Sequence, residues 1–144
     1  MGKGKVQQRI GITHNYVQYI FQLSNFSNTN GTLTTTNSDV QNYWIPRKGS
    51  IVGISGSLSA ALTTGTLTLT PYIDGSVGEA ASKAFHTNQQ VFTEKYPAFD
   101  KVGRRWNNDN GHSLGLRYTS SDTVNPTTLD GVVIVEVLLE DINY

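Results

Sequence analysis

The stretch that sets an aromatic ring among basic and amide side chains is "RRWNNDN", residues 104–110. Arg105, Trp106 and Asn108 there offer a flat apolar ring beside charged and amide donors, a set that stacks on a sugar or grips a partner protein. The competing reading is that Trp106 seals one end of the fold while the Asn/Asp/Gly cluster turns the chain. "YWIPRKGS", residues 43–50, carries the same pair of readings: Trp44 ahead of Pro46 plugs the edge of a sheet or holds a ligand, with Arg47 and Lys48 placed to meet charges on another subunit.

Other chemistry is hard to assemble from these residues. His14, His86 and His112 are far apart and lack the spacing of a zinc site, and no carboxylate triplet has that of a calcium loop. Cysteine is absent, which removes disulfides, thiol nucleophiles and thiolate ligands. There is no Gly-x-Ser-x-Gly elbow, and the "GKGK" at residues 2–5 follows no strand, so it is no phosphate loop. Asp100, Asp109 and Asp122 stand in turn contexts where Asp bonds to its own backbone. The expectation is no catalytic residue, no metal, no cofactor and no enzyme.

Composition limits the partners. The 144 residues suit one domain that buries its own core. Eleven basic and eleven acidic side chains cancel, so no overall field draws nucleic acid or an anionic membrane, and neither is expected as a partner. The longest strongly apolar run, "VVIVEVLL" at 132–139, contains Glu136 and is far shorter than the twenty or so residues of a membrane helix. The basic start has no apolar run behind it and Val6 where a myristoylation signal needs Ser or Thr, so neither an export signal nor a lipid anchor is expected.

The elements that would position these residues read as strands. Residues 1–13 form a basic, Gly/Gln-rich arm with Lys3, Lys5 and Arg9, either frayed or laid on a neighbour. The domain proper runs from 14 to 144. Val17, Tyr19, Phe21 and Leu23 alternate with polar partners in a first strand. Residues 24–42 are a Thr/Asn-rich loop too polar to order itself well, with room for a short strand at Thr32 to Thr36. Val52, Ile54 and Leu58, then Leu67, Leu69 and Ile73, mark two strands that the "TTG" at 63–65 predicts to be a hairpin, and Pro71 places the second of them at a sheet edge or strand end. The "IDGSVG" at 73–78 is a further turn, followed by a weaker strand over 85–93. Leu114, Leu116 and Tyr118, and then Val133, Val135, Val137 and Leu139, mark the last two strands. Roughly six or seven short strands, frequent turn residues, no helical period and no long internal repeat predict an antiparallel β-sandwich. Its expected core is Val52, Ile54, Leu58, Leu67, Leu69, Leu116, Val133, Val135 and Val137.

The last strand also presents Val132, Ile134 and Leu138 on the side opposite its core face. Either a loop folds over them or a subunit interface does. The non-core faces of the two expected hairpin strands, the ones carrying Val52 to Leu58 and Leu67 to Ile73, are mostly Ser, Gly and Thr, which suit close subunit packing and a bare solvated sheet equally.

"WIPRKGSIVGISGSLSAALTTGTLTLTPYIDG" resembles a pattern of small tailed-phage virion domains, an aromatic-x-Pro-x-x-Gly lead-in followed by two small/apolar alternations joined at Gly-Thr. "DNGHSLGLRYTSSDTVNPTTLDGVVIVEVLLE" looks like the matching half, and together they span roughly residues 43 to 140. The polar segment 24–42 and the basic leader fall outside the pattern. The resemblance implies a jelly-roll-like sandwich, usually trimeric, serving as a capsid decoration or auxiliary protein or a head fibre on the outside of the head. The absence of a fibre shaft or large anchoring domain favours that role over the alternative, a tail-fibre or baseplate module that binds host-surface glycan through Arg105, Trp106 and Asn108. The partners implied are two further copies of the chain through Val132, Ile134 and Leu138, and the major capsid protein or another virion protein through Lys3, Lys5 and Arg9. The location implied is the capsid surface of the virion, after synthesis in the host cytoplasm.

Overall fold

Alternating apolar side chains build strands in this chain, and the polar stretches between them carry it from one sheet to another. The computed structural model describes residues 14–26, 30–77, 82–97, 105–106, 111–121 and 124–140, and all regular structure among them is β. The strands are β1 (His14–Phe26), β2 (Gly31–Thr32), β3 (Asn42–Ile45), β4 (Gly49–Leu58), β5 (Leu67–Ile73), β6 (Ser76–Val77), β7 (Lys83–Phe85), β8 (Val91–Lys95), β9 (Arg105–Trp106), β10 (His112–Ser120) and β11 (Leu129–Glu140).

A first sheet has the order β1-β11-β4-β8, with β9 also pairing with β4. A second has the order β2-β10-β5-β6, with β3 on β10 and β7 on β5. Every described pairing is antiparallel. The chain crosses repeatedly between the sheets and brings its first and last strands side by side, which is the double Greek-key course of a jelly roll. The expected all-β sandwich is the observed architecture.

Between the sheets Phe21, Ile54, Val133, Val135 and Val137 meet Leu67, Leu69, Leu114 and Leu116, all fully buried. Each contributes about 1.5–3 kcal/mol by leaving water. Phe85 and Phe92 pack edge to face with centroids 4.5 Å apart. Both press on Gly56, where a Cβ would come within 2.9 Å of each ring. Residue 56 is therefore small because two phenyl rings occupy its side-chain space.

Three expectations change. First, β4 and β5 are not a hairpin. The corner that joins them, residues 59–66, crosses the sandwich and is stitched to the start of β11 and the corner before it: Ser59 N–H donates to Asp130 O at 2.7 Å and Thr63 N–H to Asn125 O at 2.8 Å. Gly65 has φ of 81° in this corner, and a Cβ there would sit 2.8 Å from Val124 Cα. The turn signal was real, but it marks a corner, because two strands with one apolar face each can face each other across a core as well as side by side. The two-residue hairpin is Asp74–Gly75, with φ of 54° and 78°, joining β5 to β6.

Second, Val52 is buried but lies outside the main core cluster, which Ile51 joins instead. Glu136 pairs with Gly53 and Val137 with Ile51, so Val52 is the extra residue of a bulge that reverses the alternation. Pro71, by contrast, has the open flank it needs. β7 pairs with residues 67–69 of β5 and β6 with 72–73, so neither reaches position 71.

Third, part of the polar segment is docked, around residues 31–35. Leu33 is 1% exposed and its N–H donates to Leu116 O at 2.8 Å. Gln22 and Thr34 exchange backbone hydrogen bonds of 2.7 and 3.1 Å, and the Tyr43 hydroxyl donates to Ile20 O at 2.6 Å. These bonds cover part of the outer edge of β1, which would otherwise present open ladder groups. Polar composition did not prevent order because the segment supplies hydrogen bonds to an edge and one leucine to the core.

Leu33→Ala is expected to lower the unfolding free energy by about 2–5 kcal/mol, the cost of a buried leucine deletion, read from urea denaturation midpoints. A loss below about 0.5 kcal/mol, the size of a surface change, would mean the segment is not part of the packed fold.

Candidate assembly surface

In an antiparallel sheet, residues paired across strands share a face. The registers of β1, β11, β4 and β8 therefore define the outer face of the first sheet row by row. One row is Gln22, Val132, Ser57 and Val91, and the next is Ile20, Ile134, Ser55 and Thr93. Neither row carries a charge. Then come Gln18, Glu136, Gly53 and Lys95, and finally Tyr16, Leu138 and Ser50.

Six large hydrophobic side chains stand exposed among the described residues, and four of them, Tyr16, Ile20, Val91 and Val132, are on this face. Val91 is 64% exposed and Val132 45%. Beside Val132 a shallow trough of about 500 Å³ runs over Ser57 and Gly131 to Asp130. Lys95 Nζ and Glu136 Oε1, 3.7 Å apart, bridge over Gly53 and bound the uncharged area on one side. An exposed pair of this kind contributes about 0–1 kcal/mol, so it marks a border more than it holds the fold.

The residues expected at an interface have different environments. Val132 is exposed, Ile134 half-buried, and Leu138 only 6% exposed in the single chain, beside fully buried Ser50. The accessible patch thus lies toward the Val132 end, and it includes Val91, which the sequence reading left out. The signal was in "VFTEK", where Val91 must oppose core-facing Phe92. Arg105 and Trp106 form β9, paired with Ser50 and Gly49 at the far end of the sheet. Their side chains, together with Asn108, Lys3, Lys5 and Arg9, lie outside the described residues.

Of the histidines, His86 is exposed and His112 is buried. No group of three metal-ligating side chains occurs among the described residues. His112 Nδ1 lies 2.5 Å from Asp74 Oδ2, while the Ser113 N–H donates to Asp74 Oδ1 at 2.9 Å. This pins the Asp74–Gly75 turn to the start of β10. Partial burial pushes the Asp74 carboxyl up, but the His112 side-chain bond, the Ser113 N–H and the His112 charge outweigh it and hold the group below its ordinary range.

No protein-family model matches the sequence, and neither does any curated protein. Three solved viral chains are similar to this chain. A chain of the cyanophage Pam1 capsid asymmetric unit is 14% identical, with 88% of this chain and 86% of that one covered and a TM-score of 0.46. A chain of infectious bursal disease virus, Gx strain, is 12% identical, with 91% of this chain and 33% of that one covered and a TM-score of 0.47. A turnip yellow mosaic virus chain is 9% identical, with 90% and 94% covered and a TM-score of 0.40.

A carboxyl whose folded pKa is depressed adds stability above its unfolded pKa, about 4, and that contribution is lost as pH falls through the lower folded value. Asp74→Asn, which keeps a side chain that tolerates positive φ, should flatten the decline in urea midpoint between about pH 5 and pH 2. Parallel declines in the two proteins would show that this pair carries none of the acid sensitivity.

Proposed function

We propose that the chain is a non-enzymatic structural subunit of a tailed-phage particle, a capsid decoration, auxiliary or head-fibre protein that sits as a homotrimer on the outside of the head. The observation that carries this reading is the concentration of exposed apolar side chains on one uncharged area of a sheet face. Leaving a large apolar side chain wet forfeits up to about 1.5–3 kcal/mol, and a second copy of the chain relieves this without any charge to desolvate. Closed symmetry hides such a patch without building fibres. The resemblance of residues 43–140 to trimeric virion domains favours three copies over two, and jelly rolls are a recurrent capsid fold.

In this reading Val132, Ile134 and Val91 form the contact between copies, with Leu138 further along the same face. The basic leader, Lys3, Lys5 and Arg9, reaches an acidic surface of the major capsid protein or another virion protein. The protein is made in the host cytoplasm and carried on the virion. A tail-fibre or baseplate module that binds host glycan is the second reading. It is favoured by the polar face of the opposite sheet, since lectin domains also use this fold.

Val132→Asp should convert the trimer to monomers in sedimentation equilibrium with unchanged far-ultraviolet circular dichroism, because the side chain is already accessible in the single chain. An unchanged mass would remove this face as the contact. Deleting residues 1–12 should leave the trimer intact and weaken co-sedimentation with emptied heads, more so as salt rises; undiminished attachment would exclude the leader from the capsid contact.

A further inference from the structure

The outer face of the second sheet has a different chemistry. Its rows place Trp44 beside Ser113, then Asn42 beside Gly115 and Tyr72, then Thr32 beside Arg117 and Thr70. Arg117 lies over the Tyr72 ring, its guanidinium carbon 3.9 Å from the ring centroid. That contact holds an exposed cation in place on the ring. Among the described residues no carboxylate pairs with it.

Two hollows flank this guanidinium. One, of about 320 Å³, is walled by Thr32, Thr70, Tyr72 and Arg117. The other, of about 150 Å³, shares Thr32, Tyr72 and Arg117 and extends over Gly115 to Asn42. Gly115 lets the Asn42 amide lie against the strand at the rim of that hollow, because a Cβ there would come within 2.5 Å of Asn42 Oδ1. At the end of the same face Trp44 is 66% exposed, its indole laid against Gly111 so closely that a Cβ at 111 would collide with it. The side chain is therefore braced from behind and open in front.

We propose that this face is a binding site for an acidic oligosaccharide. A carboxylate of the ligand pairs with Arg117, its hydroxyls exchange hydrogen bonds with Thr32, Thr70 and Asn42, and a sugar ring stacks on Trp44. The lining selects this class. It is rich in hydroxyl and amide groups that match sugar hydroxyls, and it offers no apolar pocket for peptide side chains. Among the described residues Arg117 is the sole cation lining either hollow, so a polyphosphate backbone, which binds through many cations, is a poor match. From Ser113, beside Trp44, to Arg117 is four residues along β10, about 13 Å. Engaging both ends therefore takes an oligosaccharide, since one sugar ring is too short. The site is on the sheet opposite the assembly surface and does not depend on the assembly reading.

The test is an array of uronate- and sialate-bearing oligosaccharides beside neutral and carboxyl-reduced counterparts, probed with the full chain and followed by calorimetry on the best binder. At least one acidic oligosaccharide should bind, and more tightly than its carboxyl-reduced form. Arg117→Gln should weaken it by about tenfold to a hundredfold, the size of one charge-assisted hydrogen-bond set. Arg117→Lys should retain part of the affinity, and Trp44→Ala should weaken acidic and neutral forms alike, all three variants keeping the parent's circular dichroism. The proposal is overturned if no acidic oligosaccharide binds, if carboxyl reduction or Arg117→Gln leaves affinity unchanged, or if the face captures polyglutamate peptide in preference to every saccharide.

Discussion

Strand β11 is hydrogen-bonded along both sides, to β1 and to β4, and its register decides which side chains enter the core and which face outward. Val133, Val135 and Val137 fill the sandwich while Val132 and Ile134, one residue away, stand on the outer face. Because the side-chain period of a strand is two, a slip of one residue would exchange these sets and bring Glu136 into the core. The same pairing that protects the core thus creates the apolar outer rows. Neither property can be changed alone, and a protein with so apolar a central strand gains from covering both of its sides.

Small residues are placed where something else needs the space. Gly56 leaves room for two phenyl rings inside the sandwich, Gly115 for the Asn42 amide on the second sheet, and Ser55 and Ser57 keep the first sheet's outer face flat. The edges are handled by hydrogen bonding and charge. The segment from Leu33 to Tyr43 covers part of β1, and Lys83 on β7 pairs with Glu94 on β8 at 3.1 Å, linking the two sheets at the opposite side. An open ladder edge invites pairing with other chains, so these devices favour association through faces over association through edges.

The two outer faces consequently suit different tasks. One carries two uncharged, partly apolar rows, which favours a flat contact with a like surface. The other carries a stacked arginine, a braced indole and a row of hydroxyls around two hollows, which favours a small polar ligand. A jelly roll separates the two by the thickness of its core, so one can be buried in an assembly while the other stays accessible.

Much was legible in the residues alone. Alternation in "NYVQYIFQL" and "GVVIVEVLL" determines strands, because a half-buried strand must repeat every two residues, and the Asp-Gly pair at 74–75 determines a tight turn, because few residues accept positive φ. The absence of cysteine and the balanced charge also follow directly. What periodicity cannot carry is partnership. It gave β4 and β5 their buried faces but not the knowledge that they face each other across the core, and it could not anticipate a bulge that replaces Val52 by Ile51. The candidate ligand face was almost invisible for the same reason. Trp44, Tyr72 and Arg117 are 28 and 45 residues apart in succession, and only the registers of β3, β10 and β5 bring them to one surface, since side-chain proximity across a sheet is set by pairing and not by distance along the chain.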